Sequence, residues 1–425
     1  MLDIKLLREN PKVIRDDLKK RNDSEKLKLL DKTIQLDSEW REELKKVEAL
    51  KAERNKLSKQ VNQVKKEGGD IKPILEEVKA IPEKIAEIQE GVDILFKTIR
   101  YNLMALPNIL HESVPIGASD EENIEVSTFN DKPKHDFELI SHVDLLPQIG
   151  AVDLERAAKI SGARFYFLEG DLAMLDFALQ KYAIDFMNSK GFRIVYPPFM
   201  MNREAYEGVT DLDDFEEVMY KIEDEDLYLI ATSEHPMTAR FKDEVLDAKD
   251  LPIKNAGISA CFRKEAGAHG KDQKGIFRVH QFNKIEQIVL CNQEDSYTYF
   301  DEIFNNALEL FKSLGLHGRV VNVCTGDMGT VAAKKFDIEV WYPVQDAYRE
   351  VVSCSNCTDY QSRRLNIKYR TPEGNKQVHT LNSTAIATSR AVVAIVENFQ
   401  DKEGNIHIPE VLWPYMNGVK VISKK

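Results

Sequence analysis

The chain has 425 residues, 43% hydrophobic and 31% charged, enough for two or three domains with cores of their own. No apolar run approaches the ~18 residues of a membrane span, the start MLDIKLLRENP lacks the apolar region and cleavage site of a secretory signal, and five cysteines make no disulfide framework and fit a reducing cytoplasm. The net charge of −12 is uneven: residues 1–110 hold 24 Lys and Arg against 21 Asp and Glu, so the N-terminal part is the better suited to face phosphate.

Residues 1–22 read as a short helix with the stripe Leu6, Leu7, Val13, Ile14 and Leu18, and Asn10-Pro11 as its start or a break. From about Asp23 a heptad takes over. Leu36, Trp40, Val47, Leu50, Leu57, Val61 and Val64 follow spacings of three and four, with Glu43 and Arg54 at two seam positions. Lys66-Glu67-Gly68-Gly69-Asp70 interrupts the pattern, and a second run follows: Ile71, Ile74, Val78, Ile81, Ile85, Ile88, Val92, Leu95 and Ile99. This predicts an antiparallel two-helix coiled coil within one chain, with Pro82 as a kink or a late helix start. Its faces carry Lys45, Lys46, Lys51, Arg54, Lys56, Lys59, Lys65, Lys66, Lys72 and Lys79. Such a rod fits a nucleic-acid groove, or is a solvated face.

Tyr101 to Pro147 reads as linker and domain entry, since LPNILHESVPIGASDEEN is rich in Pro, Gly and acids and has no period. The stretch from His142 to Ile160 turns helical toward its end, and Arg164–Leu168 is strand-like. Gly170–Lys190 is an amphipathic helix, and Phe192–Met200 is a strand stopped by Pro197-Pro198. Strand patterns recur at LYLIAT, GISACF, IFRVHQFNKIEQIVL, GRVVNVC, FDIEVWYP and QVHTLN, with helices at Glu294–Leu314 and Thr388–Asn398. The class is α+β: an antiparallel sheet flanked by helices.

One stretch concentrates charge. CFRKEAGAHGKDQKGIFRVHQFNKIEQ, from Cys261, reads as strand, polar loop (Gly267, Gly270, Lys271, Lys274, Gly275) and strand. Alternation places Arg278, His280, Phe282, Lys284 and Glu286 on one face, and Arg263 with Glu265 on one face of the first strand. Arginines suit phosphate oxygens and a phenylalanine suits a flat base. A charged surface hairpin is the plain alternative.

FRKEAG followed by GIFRVHQFNKIEQ closely resembles motif 2 of class II aminoacyl-tRNA synthetases, in the form found in the seryl-tRNA synthetase family. The resemblance covers the whole chain. The helix from Gly170 and the strand ending at Pro197-Pro198 are similar to motif 1, which builds the family's dimer interface. Thr380 through TLNSTAIATSRAVVAIVENFQ is similar to motif 3, with Arg390 as its arginine. The resemblance implies a class II catalytic domain over 111–425 and an N-terminal tRNA-binding domain over 1–110, its hairpin spanning about 27–100. It implies an ATP-dependent serine–tRNA ligase that needs no protein nucleophile, with Arg263 and Arg390 as the catalytic residues.

Site roles follow from the same resemblance. Arg263 binds the α-phosphate and the serine carboxylate, Glu265 the adenine amino group, and Arg278 the γ-phosphate region. Phe282 and Arg390 sandwich the adenine, Val279 lines its pocket, and Lys264, Val351 and Val352 border the nucleotide. Thr232, Ser233 and Glu234, in LYLIATSEHPM, contact L-serine with Glu286 and Thr384. Glu350 and Ser353, in YREVVSCSNC, hold Mg²⁺ on the ATP phosphates, for which oxygen ligands are apt. Val352 stands where a serine is more familiar, and NST at Asn382–Thr384 replaces the NGS of many bacterial members. Cys354-x-x-Cys357 has no second such pair, so structural cysteines and no structural zinc are expected. The implied partners are tRNA(Ser), with tRNA(Sec) open as a second acceptor, and a second copy of the chain, with no membrane. Two rivals are a paralogue that loads an amino acid onto a carrier protein and a noncatalytic scaffold. The tRNA arm argues against the first, and the intact arginines and carboxylates against the second.

Overall fold

The computed structural model describes residues 1–211, 218–265 and 274–423, in two compact units, Met1–Pro107 and Asn108–Lys425. The first unit is helical: α1 (Ile4–Glu9), α2 (Pro11–Lys20), α3 (Ser24–Lys66) and α4 (Lys72–Ala105). Asn10 ends α1, and Pro11 opens α2 at a position where a missing N–H costs nothing. At 1.5 Å per residue, the 43 residues of α3 and 34 of α4 reach about 65 Å and about 51 Å.

Every apolar seam position expected on α3 and α4 is buried or half-buried, as is Glu43, whereas Arg54 is exposed. Trp40 meets Phe96 with ring centroids 5.6 Å apart, and Arg8 and Arg41 both clamp the buried Asp37 carboxylate, at 2.6 and 3.0 Å. The Gly68-Gly69 turn satisfies the end of α3: Gly69 N–H donates to Val64 O at 2.9 Å, and Gly68 takes a left-handed φ of +74°. Helix α4 begins at Lys72, with Pro73 as its second residue, and runs through Pro82, so no late start occurs.

The second unit is built on one eight-stranded sheet. Its strands in chain order are β1 (Ile124–Phe129), β2 (Arg193–Val195), β3 (Ile253–Phe262), β4 (Gln281–Cys291), β5 (Gly318–Asn322), β6 (Lys334–Tyr342), β7 (Ala347–Asn356) and β8 (His379–Ala387). The spatial order is β1-β5-β6-β7-β8-β4-β3-β2, antiparallel throughout except for β2 on β3. β1 corrects the linker expected from Tyr101 to Pro147: that span holds the end of α4 and an edge strand. The edge position explains the miss, because Ile124 and Val126 are exposed and only Phe129, the last residue of the strand, is buried.

Helices α5 (Gly170–Ser189), α6 (Ser296–Ser313) and α7 (Thr388–Asn398) cover one face of the sheet. Leu172, Leu175, Leu179, Phe300, Leu310, Val392 and Ile395 pack there against Ile285 and Val289 of β4. Strand alternation then sends Lys284, Glu286, Ile288 and Leu290 to the opposite face. Ile288 and Leu290 join a smaller core around Tyr206, Met237 and Leu365. Lys284 and Glu286 are left as a buried charged pair on that face.

Candidate active site

The expected hairpin forms with shorter strands than the alternation suggests. β3 ends at Phe262 and β4 begins at Gln281, so Arg278, Val279 and His280 precede the strand. The ladder continues one rung further through Arg263 N–H to His280 O at 3.0 Å. Of the polar loop between them, Gly267, Gly270 and Lys271 lie outside the described residues, while Lys274 and Gly275 lie within. Gly275 has φ +75°, and a Cβ there would run into the His142 ring, so this end of the loop requires glycine. Glu265 also adopts a left-handed φ, of +49°, a strained backbone of the kind found at ligand sites.

Two clefts meet at this hairpin. The larger, about 490 Å³, is lined by Thr232, Glu234, His235, Arg263, Lys284, Glu286, Lys335, Glu350, Ser353, Asn382 and Thr384 among others. The smaller is lined by Arg263, Glu265, Phe277, Arg278, Val279, Phe282, Glu350, Val351 and Arg390, with Lys284 and Thr384 again. Arg263, Lys284, Glu350 and Thr384 border both.

Glu350 and Ser353 reach the same cleft through an irregularity. Residues three apart on a regular strand point to opposite faces. Ser353 pairs with Asp337 and Val352 with Ile338, but Glu350 pairs with Glu339, so Val351 is an extra residue and β7 bulges. The bulge re-aims Glu350 to the side of Ser353. Both donors are hard oxygens, and Asp337, across from Ser353, keeps a buried Oδ1 without a hydrogen-bond partner. The donor set suits a magnesium ion. Burial acts to raise the Glu350 pKa, but Arg390, Lys335, Arg263 and Lys284 outweigh it and hold the carboxylate below its usual range. Burial moves Asp337 the opposite way, upward, against the pull of Lys335.

The arginines rest on rings. Arg263 lies 5.4 Å over Phe282, with its Nε donating to Ala231 O at 3.3 Å. Arg390 lies 5.5 Å over Phe277 and donates to Glu350 O at 2.6 Å. Arg278 pairs with Glu265 at 3.2 Å. In the larger cleft Glu234 accepts from Gln361 at 2.9 Å, Lys284 pairs with Glu286 at 2.5 Å, and the Thr384 hydroxyl lies 3.4 Å from Glu286.

Burial, then the neighbouring Glu286, push the Glu234 carboxyl up to about 7, and burial also raises Glu286. His235 stays neutral, held down to about 3 by burial, Arg263 and Lys284. A raised carboxyl is protonated below its pKa and anionic above it. An ammonium ligand needs the anion, so its affinity is expected to rise as pH climbs through about 7 and then level off. Amino-acid KM measured from about pH 5.5 to 8.5 checks this, and Glu234→Gln should flatten the profile.

Three expected residues do not line either cleft. Ser233 is fully buried and its hydroxyl donates to Gly257 O at 3.1 Å, Val352 faces the helical core, and Lys264 is fixed through its N–H to Val218 O at 2.9 Å. Lys284, Phe277 and Lys335 line the clefts and carried no expectation as ligands. Lys284 could have been found, since alternation already put it beside Glu286. Cys354 and Cys357 are buried free thiols, pushed up by burial, and Cys357 Sγ accepts from Asn382 at 3.6 Å.

Known proteins share both units. The family described as seryl-tRNA synthetase N-terminal domain matches residues 1–110, and that described as tRNA synthetase class II core domain (G, H, P, S and T) matches residues 219–399. A serine–tRNA ligase of Methanocella arvoryzae is 54% identical over 425 residues, covering 99% of this chain and 100% of its own. The crystal structure of seryl-tRNA synthetase from Pyrococcus horikoshii complexed with ATP superposes with a TM-score of 0.95 at 47% identity, over 100% of both chains. That of the cytoplasmic Naegleria fowleri serine–tRNA ligase in complex with AMP gives 0.89 at 42%, over 100% of this chain and 99% of its own.

Proposed function

The chain belongs to the seryl-tRNA synthetase family of class II aminoacyl-tRNA synthetases, and from that premise we propose how its residues divide the work of a serine–tRNA ligase. Serine and ATP form seryl-adenylate and pyrophosphate, and the seryl group then passes to a 3′-terminal ribose hydroxyl of tRNA(Ser). The observation that carries the reading is the junction of the two clefts, where Arg263, Lys284, Glu350 and Thr384 border both. A carboxylate in one cleft and an α-phosphate in the other would meet there.

Serine occupies the larger cleft. Glu286 and Glu234 take its ammonium, Thr384 and Thr232 fix its hydroxyl, and Arg263 holds its carboxylate in line with phosphorus. The hydroxyl is selected because its absence leaves buried polar groups unpaired. ATP occupies the smaller cleft, its base between Phe282 and Arg390, its amino group on Glu265 and its γ-phosphate toward Arg278. Val279 and Val351 form apolar walls. Catalysis is placement of two substrates and stabilisation of charge on phosphorus by Arg263. Glu350 and Ser353 would hold Mg²⁺, which supplies charge neutralisation on the phosphates. We assign Cys354 and Cys357 no zinc. EDTA should therefore abolish ATP–pyrophosphate exchange, Mg²⁺ alone should restore it, and restoration that required Zn²⁺ would contradict the assignment.

The helical unit serves tRNA. Among the described residues, Arg54, Lys56, Lys59, Lys65, Lys66, Lys72 and Lys79 are exposed and enter no ion pair, as a phosphate-facing surface requires. Phe177, 63% exposed, and Met174, one turn away on α5, form an apolar face that a second copy would cover in a homodimer. Sedimentation should give a species of twice 48.7 kDa, and Phe177→Glu should yield monomer. No helix among the described residues is long and apolar enough to cross a membrane, and we place the enzyme with its tRNA substrates in the cytoplasm. Charging of tRNA(Ser) transcript with radiolabelled serine tests the function, and a tRNA(Sec) transcript in the same assay tests the second acceptor. No charging of tRNA(Ser) by folded protein would refute it.

A further inference from the structure

Lys284 is only 8% exposed, yet it borders both clefts. Its ammonium lies 2.5 Å from Glu286 Oε2 and donates to Thr232 Oγ1 at 3.3 Å. Glu286 and Thr232 are the groups assigned above to substrate serine. A lysine ammonium and an amino-acid ammonium have the same chemistry, so the chain fills from within the place its substrate needs. The contact neutralises Glu286. Glu286 is 1% exposed, and a carboxylate so buried takes up a proton unless a cation stands beside it.

A zwitterion removes the competition. It brings an ammonium that can replace Lys284 on Glu286 and a carboxylate that needs cations of its own. Arg263 is one such cation. Lys284, on a flexible four-carbon stem, stands at the same junction and is the other. We propose that Lys284 is a substrate-contacting residue: the counter-ion of Glu286 in the empty site, it yields Glu286 to the incoming ammonium and moves onto the amino-acid carboxylate, beside Arg263. The inference rests on the reading of the larger cleft as the serine cleft. It also predicts weak binding of half-substrates. An amine without a carboxylate displaces Lys284 and leaves it without an anion, and an acid without an amine cannot release it.

Serine and serinamide separate this role from a structural one, because serinamide keeps the ammonium and lacks the carboxylate. Calorimetric titration of the full chain is the assay. Lys284→Met should weaken serine about tenfold or more, as expected when one charge-assisted hydrogen bond is removed. Serinamide should weaken much less, because both ligands meet the same Glu286 without its counter-ion and only serine also loses a partner for its carboxylate. Lys284→Gln, which keeps a hydrogen bond to Glu286 without the charge, should show the same split and covers a failure of the first variant to fold. Equal weakening of both ligands, with serine-dependent exchange intact in the wild type, would overturn the role of Lys284 alone. Absence of serine-dependent exchange in the wild type would overturn it together with the serine cleft.

Discussion

Arg263→Ala should slow serine-dependent ATP–pyrophosphate exchange by about 10²–10³-fold while the fold survives. The magnitude is that of removing one preorganised donor aimed at developing charge. The anchoring of Arg263 fits that of such a donor. It follows the last residue of β3, its N–H continues the ladder to His280, its Nε is anchored on Ala231 O, and its guanidinium lies along Phe282. It borders both clefts, so its loss affects the joining of the substrates more than the seating of either. AMP affinity should therefore fall far less than the exchange rate. Arg263→Lys should recover only part of the loss, since a lysine offers a point charge in place of a planar fork. An exchange rate within about threefold of wild type for Arg263→Ala would remove Arg263 from the mechanism.

Cutting back the helical hairpin should produce the opposite pattern. Excising Leu44–Val92 and closing the gap with a short glycine turn keeps the lower hairpin, with the Trp40–Phe96 contact and the Asp37 clamp. It removes Arg54, Lys56, Lys59, Lys65, Lys66, Lys72 and Lys79 together. Cations that neutralise phosphates release counterions, so taking away several weakens binding in a salt-dependent way and should lower kcat/KM for tRNA(Ser) by about 10³-fold or more. Serine-dependent exchange, whose proposed residues all lie in Asn108–Lys425, should stay within about twofold. Loss of exchange in a still-folded variant would contradict the separation of labour. Raising salt on the intact chain should weaken charging before exchange.

What the sequence revealed, and what it hid, divides along physical lines. Periodicity is visible in sequence, so the apolar seam from Leu36 to Ile99 and the turn at Gly68-Gly69 were legible, with Arg54 the one expected seam position that is exposed. Thr388–Asn398 was legible for the same reason. The edge strand β1, with only Phe129 buried, was lost in an apparent linker. A bulge has no signature of its own: nothing in the spacing of Glu350 and Ser353 says that they share a cleft, and the extra residue Val351 makes them do so. Direction within a tight turn is equally hidden. Thr232 and Glu234 face the cleft, while Ser233 between them turns to Gly257 O. Lys284 was visible as a neighbour of Glu286, but an alternating face does not tell an exposed charge from one paired in the interior. That distinction comes from packing, here the closure of the smaller core over Ile288 and Leu290 on the same face.

The central claim is that the larger cleft selects serine for activation by ATP. ATP–pyrophosphate exchange run side by side with serine, threonine and alanine tests it most directly. Serine should drive exchange. Alanine, which lacks the hydroxyl that Thr384 and Thr232 expect, should fall behind by about 10²-fold or more in kcat/KM, and threonine should lag because its extra methyl crowds Thr384. Exchange driven equally by alanine, or absent with serine, would contradict the claim.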